Sequence, residues 1–341
     1  MTEELWPAAP WLSVIVPVYN AEAYVETCLA SVLDQADEGV ELLALDDAST
    51  DGSWRCLQTL AQRWPGRLRV LRHARNQGQS AARNTLIDAA RGDYLWCVDA
   101  DDKLLPGAVP RLAAIVRQHR PDVVLCDFQV WRERTRLKHR LRGELHRRSF
   151  DGPAGQTGRL VHDRCALLAG LLMRGQLHAW SKIARRALWG GDLRFPVGRC
   201  FEDMTTLPLL ALRAGSFFYE PRPWVAYRQH GGSVLATMTL AKVRDQVAAL
   251  HPLREALRGT PCESHPGVRQ ALALQSARSL QGALRFVRQA DMPEPERQAL
   301  QARLRADFAA ASPLTARQWL RACLRSGWWL RAWRFRKVWQ A

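Results

Sequence analysis

Three carboxylates close an apolar run in "YLWCVDADD" (94–102): Asp99, Asp101 and Asp102. Like charges this close repel, and a divalent cation among them offsets the repulsion. Mn2+ or Mg2+ takes few protein carboxylates and fills its shell with water and phosphate oxygens. A D-x-D on a turn therefore suits a metal that also grips a diphosphate. The plainer reading is a solvated turn ahead of a helix, with Asp102 as its cap. D-x-D alone does not decide between them, so its company matters. Asp46 and Asp47 end a second apolar run, "VELLALDD" (40–47). Tyr19 and Asn20 stand at the end of a third, "LSVIVPVY" (12–19). Further on, Glu202 and Asp203 of "FEDM" begin a helical pattern, where acids are favourable with the helix dipole.

Several other chemistries are excluded. No G-x-G-x-x-G follows "VIVPVYN", and no G-x-x-x-x-G-K-[ST] occurs in the chain. The phosphate cradles of dinucleotide dehydrogenases and P-loop enzymes are thus missing. Cysteines at 28, 56, 97, 126, 165, 200, 262 and 323 show no C-x-x-C or zinc spacing. They read as small reduced core residues. His178 and His230 belong to no H-x-x-E or H-x-x-x-H pair and read as structural.

The carboxylates need elements to position them, and the first 130 residues alternate in type. Short β-branched runs at 12–19, 40–47, 67–73, 94–99 and 122–128 read as strands. Between them lie helical spacings: Val25, Leu29, Val32 and Leu33, capped by Asn20; then Trp54, Leu57, Leu60 and Trp64 after the cap oxygens of Ser49, Thr50 and Asp51. "NQGQS" (76–80) turns into a third helix, and Pro106 suits the first turn of a fourth. This alternation predicts an α/β fold, a doubly wound and mostly parallel sheet with helices on both faces. Ligands of such sheets bind beyond the carboxyl ends of the strands, where these polar residues collect.

Residues 131–160 depart from the pattern as a basic, turn-rich excursion, read as a hairpin or loop; from about 238 to the end the pattern is helical. Charge divides the same way. Residues 1–130 hold 12 Lys+Arg against 18 Asp+Glu, and residues 131–341 hold 37 against 15. The two parts face different partners. The basic end "RQWLRACLRSGWWLRAWRFRKVWQA" (317–341) carries seven Lys+Arg, five Trp and no acid. A basic helix with Trp and Leu on one side fits contact with an anionic membrane surface. The sequence pI of about 10.3 raises nucleic-acid binding as a rival, but no binding motif supports it and the proposed crevice is acidic.

In order along the chain, "LSVIVPVYNAEAYVETCLASVLDQ", "LLALDDASTDGSW", "NQGQSAARNTLIDAARGDYLWCVDADD", "HAWSKIARRAL", "LRFPVGRCFEDM" and "YRQHGGSV" resemble the family 2 glycosyltransferases over about residues 12–235. The resemblance implies the GT-A fold. It also implies inverting transfer of a sugar from a UDP- or dTDP-linked donor to a hydroxyl of a growing glycan, in bacterial lipopolysaccharide or exopolysaccharide assembly. Position by position, Pro17 and Tyr19 match residues flanking the nucleotide base, and Asp47 the carboxylate that reads it, with Asp46 beside it. Gly78 and Arg83 match the segment lining the nucleotide pocket. Asp99 and Asp101 match the metal-binding pair, Asp101 as direct ligand and Asp99 nearer the ribose; Asp102 is left a cap or supporting role. Asp203 matches the general base and Glu202 its neighbour. Arg228 and His230 fall in a mobile basic segment that meets the diphosphate. The implied cofactor is a divalent cation, Mn2+ or Mg2+. The implied partners are a nucleotide sugar and a glycan or lipid-linked glycan, with no nucleic acid.

The expected organisation is a tail at 1–11, a nucleotide-sugar-binding half at 12–130, an acceptor-side half at 131–237 and a helical, Trp-rich region at 238–341. The N-terminus lacks a signal pattern and no apolar run reaches the roughly 20 residues of a membrane span. The expected location is the cytoplasm, peripheral on the inner face of its membrane. A non-catalytic GT-A-fold interaction protein is the alternative, which the presence of Asp47, Asp99, Asp101 and Asp203 opposes.

Overall fold

The computed structural model describes residues 10–132, 141, 143–152, 156–229 and 238–340. The N-terminal alternation is present. Strands β1 (Leu12–Val18), β2 (Val40–Asp46), β3 (Leu68–Arg72) and β4 (Tyr94–Cys97) are separated by helices α1 (Val25–Leu33), α2 (Ser53–Arg63) and α3 (Gln79–Ala89). All pair in parallel, in the order β3-β2-β1-β4. Along β1, Val14 and Val16 join one apolar core while Ile15 joins the other. Side chains alternate across a strand, so a sheet covered on both faces needs apolar residues at every position. Pro17 is tolerated in this central strand because β4 pairs with β1 only as far as Ile15, leaving that side without a ladder to feed.

The second half adds β5 (Lys103–Leu104), α4 (Ala108–His119), β6 (Val123–Trp131), β7 (Leu160–Val161), α5 (Arg164–Arg174), β8 (Lys182–Arg185), α6 (Glu202–Arg213) and β9 (Phe217–Arg228). Among the described residues the sheet has nine strands, ordered β3-β2-β1-β4-β8-β6-β9-β5, with β7 beside β9. β8 lies antiparallel between β4 and β6. This insertion carries the segment just before β8 up to the carboxyl end of β4. Within the basic excursion, read as a hairpin or loop, Arg147 forms an isolated antiparallel bridge with Phe128 of β6. Arg147 and Phe128 exchange backbone hydrogen bonds. Buried Asp127 accepts from Tyr219 Oη, Ser149 N and His146 Nε2.

Helices α7 (Leu240–Ala248), α8 (His251–Ala256), α9 (Pro261–Ser264), α10 (Pro266–Gln289), α11 (Glu294–Ala311), α12 (Ala316–Arg325) and α13 (Trp329–Gln340) follow. Leu280, Phe308, Trp319 and Phe335 centre a third core there. Two local expectations are corrected. Asn20 caps no helix: α1 begins at Val25, and the Asn20 side chain instead accepts from Thr50 N at 2.9 Å. The cysteines are not all thiols, since Cys165 at the start of α5 is bonded to Cys262 in α9, 97 residues away. A pairing so distant in sequence leaves no spacing signal.

The turn between α3 and β4, which aims the D-x-D, is held from below. Buried Glu41 accepts from Ser13 Oγ, from Arg91 N at 2.6 Å and from Gly92 N at 3.1 Å. A Cβ on Gly92 would lie 2.5 Å from Ser13 N and 2.7 Å from Leu12 C, both backbone atoms that cannot swing aside. Gly92→Ala is therefore expected to lower unfolding free energy by about 1–3 kcal/mol, measured by urea denaturation; an unchanged midpoint would contradict this close approach.

Candidate active site

The site is assembled at the carboxyl ends of β1, β2 and β4. Beyond β1, Tyr19 is half exposed. Beyond β2, Asp47 organises the opposite loop. Its carboxylate accepts from Gly78 N at 2.7 Å and Gln77 N at 2.9 Å, and meets His73 Nδ1 at 2.7 Å. Gly78 holds φ +87°, a conformation side chains disfavour, and the space where a Cβ would sit is open. This is where α3 starts, so Asp47 fixes the entry of the helix that carries Arg83. Asp46 is fully buried, paired with Arg72 at 3.0 Å. Neither aspartate presents a bare carboxylate to the crevice.

Arg83 is the hub. Its side chain is 1% exposed, yet it meets three carboxylates: Nη2 donates to Asp99 at 2.8 Å, and Nη1 to Glu202 and Asp203 at 2.9 Å each. The guanidinium also lies 5.1 Å from the Phe195 ring centre. Arginine suits this place because its planar fork satisfies several acceptors while remaining charged. One side chain thus joins Asp99, beyond β4, to the first turn of α6, although 119 residues separate Arg83 from Glu202. The sequence marked all four positions but not their contact. It missed Gln79, whose Nε2 donates to Asp99 at 3.0 Å, and Ala179, whose N–H donates to Asp203 at 3.0 Å. A backbone donor has no sequence signal, and Gln79 had only its place at the start of α3.

Asp102 is corrected as a helix cap. The residue at the N-terminus of α4 is Gly107, and buried Asp102 instead accepts from Arg228 N at 2.8 Å. Its other oxygen, Oδ2, is buried without a hydrogen bond. Burial, with Asp99 and Asp101 adding like charge, raises its proton affinity well above the ordinary carboxylate range. Arg228 Nε donates to the Asp101 carbonyl at 3.0 Å, and the guanidinium lies 3.7 Å from the Trp131 ring centre and 4.7 Å from that of Tyr24. β9 thereby places a cation against the D-x-D turn. His230 lies outside the described residues.

Asp203 has a proton affinity raised into the neutral range. Burial raises its pKa to about 7, against the pull of Arg83 and with Glu202 and Asp99 adding to the rise. His178 is no rival. Burial, with like charge from Lys182, pushes it down to about 3, and it stacks on Trp180 at 4.7 Å. Buried Lys182 donates to the carbonyls of Gln176 and His178, shaping the segment that presents the Ala179 N–H.

These ion pairs set a stability prediction. An aspartate whose folded pKa is about 7, against 3.8 otherwise, adds stability below the lower value that is lost as pH rises through the higher. Removing the guanidinium strands the carboxylates. Arg83→Met is expected to cost about 3–5 kcal/mol near neutrality. The loss should be smaller at about pH 5 than at about pH 8 in urea unfolding; a loss independent of pH would contradict the charge account.

A family model described as Glycosyl transferase family 2 matches residues 13–174. EpsJ of Bacillus subtilis (strain 168), named an uncharacterized glycosyltransferase, is 40% identical over 119 residues, 35% of this chain and 34% of that protein. The glycosyltransferase GlyA of Streptococcus pneumoniae serotype 4 is 26% identical over 271 residues, 78% of this chain and 38% of that protein. The aligned stretches thus span little more than a third of these relatives' own lengths. Among solved structures, S. aureus TarS 1–349 in complex with UDP-GlcNAc matches with a TM-score of 0.69 at 20% identity, over 96% of this chain and 90% of that one. That likeness establishes the architecture, the GT-A fold, and residues 13–174, which match the glycosyl transferase family 2 model, take in β1 to β7, the D-x-D and Arg83 but not Glu202 or Asp203.

Proposed function

We propose that the chain transfers a sugar from a nucleoside-diphosphate sugar, UDP- or dTDP-linked, to a hydroxyl of a growing bacterial glycan, lipopolysaccharide or exopolysaccharide, with inversion at the anomeric carbon. The observation that carries this reading is the shared guanidinium of Arg83. It holds a D-x-D aspartate, Asp99, and a carboxylate poised near neutrality, Asp203, around one crevice. TarS binding UDP-GlcNAc on the same architecture supports the donor class.

The residues divide the work by position. Half-exposed Tyr19 offers a ring for the base beside Pro17, while Asp46 and Asp47 shape the loops around it. Asp99 reaches the ribose side. Arg228, against the D-x-D turn, meets the diphosphate together with His230. Asp203 takes the proton as the acceptor hydroxyl attacks opposite the leaving diphosphate, a role worth roughly 10²–10⁴ in rate. Glu202 shares Arg83 with it and keeps the guanidinium in place. A direct displacement needs no nucleophilic Ser or Cys.

Asp99 and Asp101 would hold a divalent cation, Mn2+ or Mg2+. The fit rests on hard oxygen donors and on Asp102, whose Oδ2 is buried without a hydrogen bond and whose proton affinity is raised by burial and by the like charge of Asp99 and Asp101. Among the described residues no three His, Cys, Asp or Glu converge as a metal cage. The protein would thus supply one or two ligands, leaving the rest to water and phosphate. Bound there, the cation stabilises charge on the leaving diphosphate.

The acceptor is a glycan or lipid-linked glycan that lies over residues 161–235, with the basic stretch around Arg147 and Arg148 beside it. We place the chain at the inner face of the cytoplasmic membrane, held peripherally by its Trp-rich end. Among the described residues no helix is long and apolar enough to cross a membrane.

A panel of nucleotide sugars tests the reading by hydrolysis or transfer. Asp203→Asn should lower kcat by about 10²–10⁴ while leaving the donor KM within a few-fold. EDTA should abolish activity and added Mn2+ restore it. Full activity of Asp203→Asn with any accepted donor would remove it as the base, and EDTA resistance would remove the metal.

A further inference from the structure

The C-terminal helices border a second charged site, an open cleft of opposite sign to the first whose arginines are solvent-exposed. A cleft of about 290 Å³ is walled by Arg278 and Arg285 of α10, by Arg331 and Arg334 of α13, and by Trp319 of α12. No Asp or Glu lines it. Arg83 is surrounded by carboxylates, whereas none of these four arginines pairs with an acid among the described residues. Burial, with Arg331 and Arg174 as like-charged neighbours, holds the Arg278 guanidinium below its ordinary range. Four cations gathered without a counter-charge form a site that an anion would complete.

The same helix supplies an apolar border. α13 buries Ala332, Phe335 and Val338 against the third core and leaves Trp329, Leu330 and Trp333 exposed, at 71%, 57% and 59%. Leu330 stands one turn before Arg334, so the two are neighbours on the helix surface. The expected single amphipathic helix is in fact two. Trp319 in α12 turns inward and forms the cleft wall, while Trp329 and Trp333 of α13 turn out and Phe335 packs inward. Tryptophans beside phosphate-binding cations suit the boundary between lipid headgroups and acyl chains.

We propose that this cleft binds the phosphate of an anionic phospholipid headgroup, with Trp329, Leu330 and Trp333 entering the interface beside it. A phosphate oxygen accepts from the convergent guanidinium N–H groups, and the tryptophans replace water contact with lipid. The inference gives a residue-level site to the membrane contact proposed above and does not depend on the transferase reading.

Vesicle sedimentation with the full chain tests it. Phosphatidylglycerol-containing vesicles are compared with pure phosphatidylcholine, for the wild type and two charge-matched pairs. Arg278→Gln with Arg285→Gln removes one wall of the cleft; Arg303→Gln with Arg317→Gln removes equal charge from exposed positions outside it. The first pair should weaken binding to the anionic vesicles about 30-fold and the second less than about threefold. Trp329→Ala with Trp333→Ala should also release the chain, and hydrolysis of the donor sugar in solution should be unchanged in every variant. Equal losses in both arginine pairs would overturn the site in favour of general charge attraction. Quenching of tryptophan fluorescence by inorganic pyrophosphate without vesicle binding would overturn the lipid source.

Discussion

The structure depends on one buried cation. Arg83 faces Asp99, Glu202 and Asp203 with a side chain that is 1% exposed, and each partner is held within 2.9 Å. Buried charge is costly unless paired. Any arrangement of the chain that parts these residues strands a guanidinium or several carboxylates. The packing around them therefore has to deliver α3, the end of β4 and the start of α6 to one point. The loops beyond β2 serve that delivery, since Asp47 fixes the Gly78 turn from which α3 begins.

Sheet order makes the convergence possible. With β8 set antiparallel between β4 and β6, the chain before β8 passes the carboxyl end of β4 and presents the Ala179 N–H to Asp203. β9 then runs alongside β6 and ends at Arg228, whose backbone and side chain both close on the D-x-D turn. The crevice thus has a cationic strand end on one side and a neutral-range carboxylate on the other. That asymmetry suits a reaction in which negative charge leaves on one face and a proton leaves on the opposite one.

The parallel half of the fold was legible because strands buried on both faces read as continuous apolar runs, and β1, β2 and β4 fall where those runs lie. The carboxylates at their ends were legible for the same reason, as polar residues following apolar ones. What the chain did not announce were relations between distant segments. Nothing near Asn20 tells that its side chain will serve the loop at Thr50 rather than cap α1. Asp102 reads as a cap until β9 brings Arg228 N to it. Cys165 and Cys262 have no spacing in common with any motif, and Trp319 looks like its neighbours until α12 and α13 part. Each depends on packing that lies beyond a local window of sequence.

The central claim is that Arg83 and burial together set Asp203 near neutrality while Arg83 holds it beside Asp99. Carbon-13 titration of the Asp203 carboxyl, with Asp203 assigned by difference against Asp203→Asn, measures this directly. The account predicts a midpoint at about 7. A midpoint at the ordinary aspartate value of about 4 would contradict it.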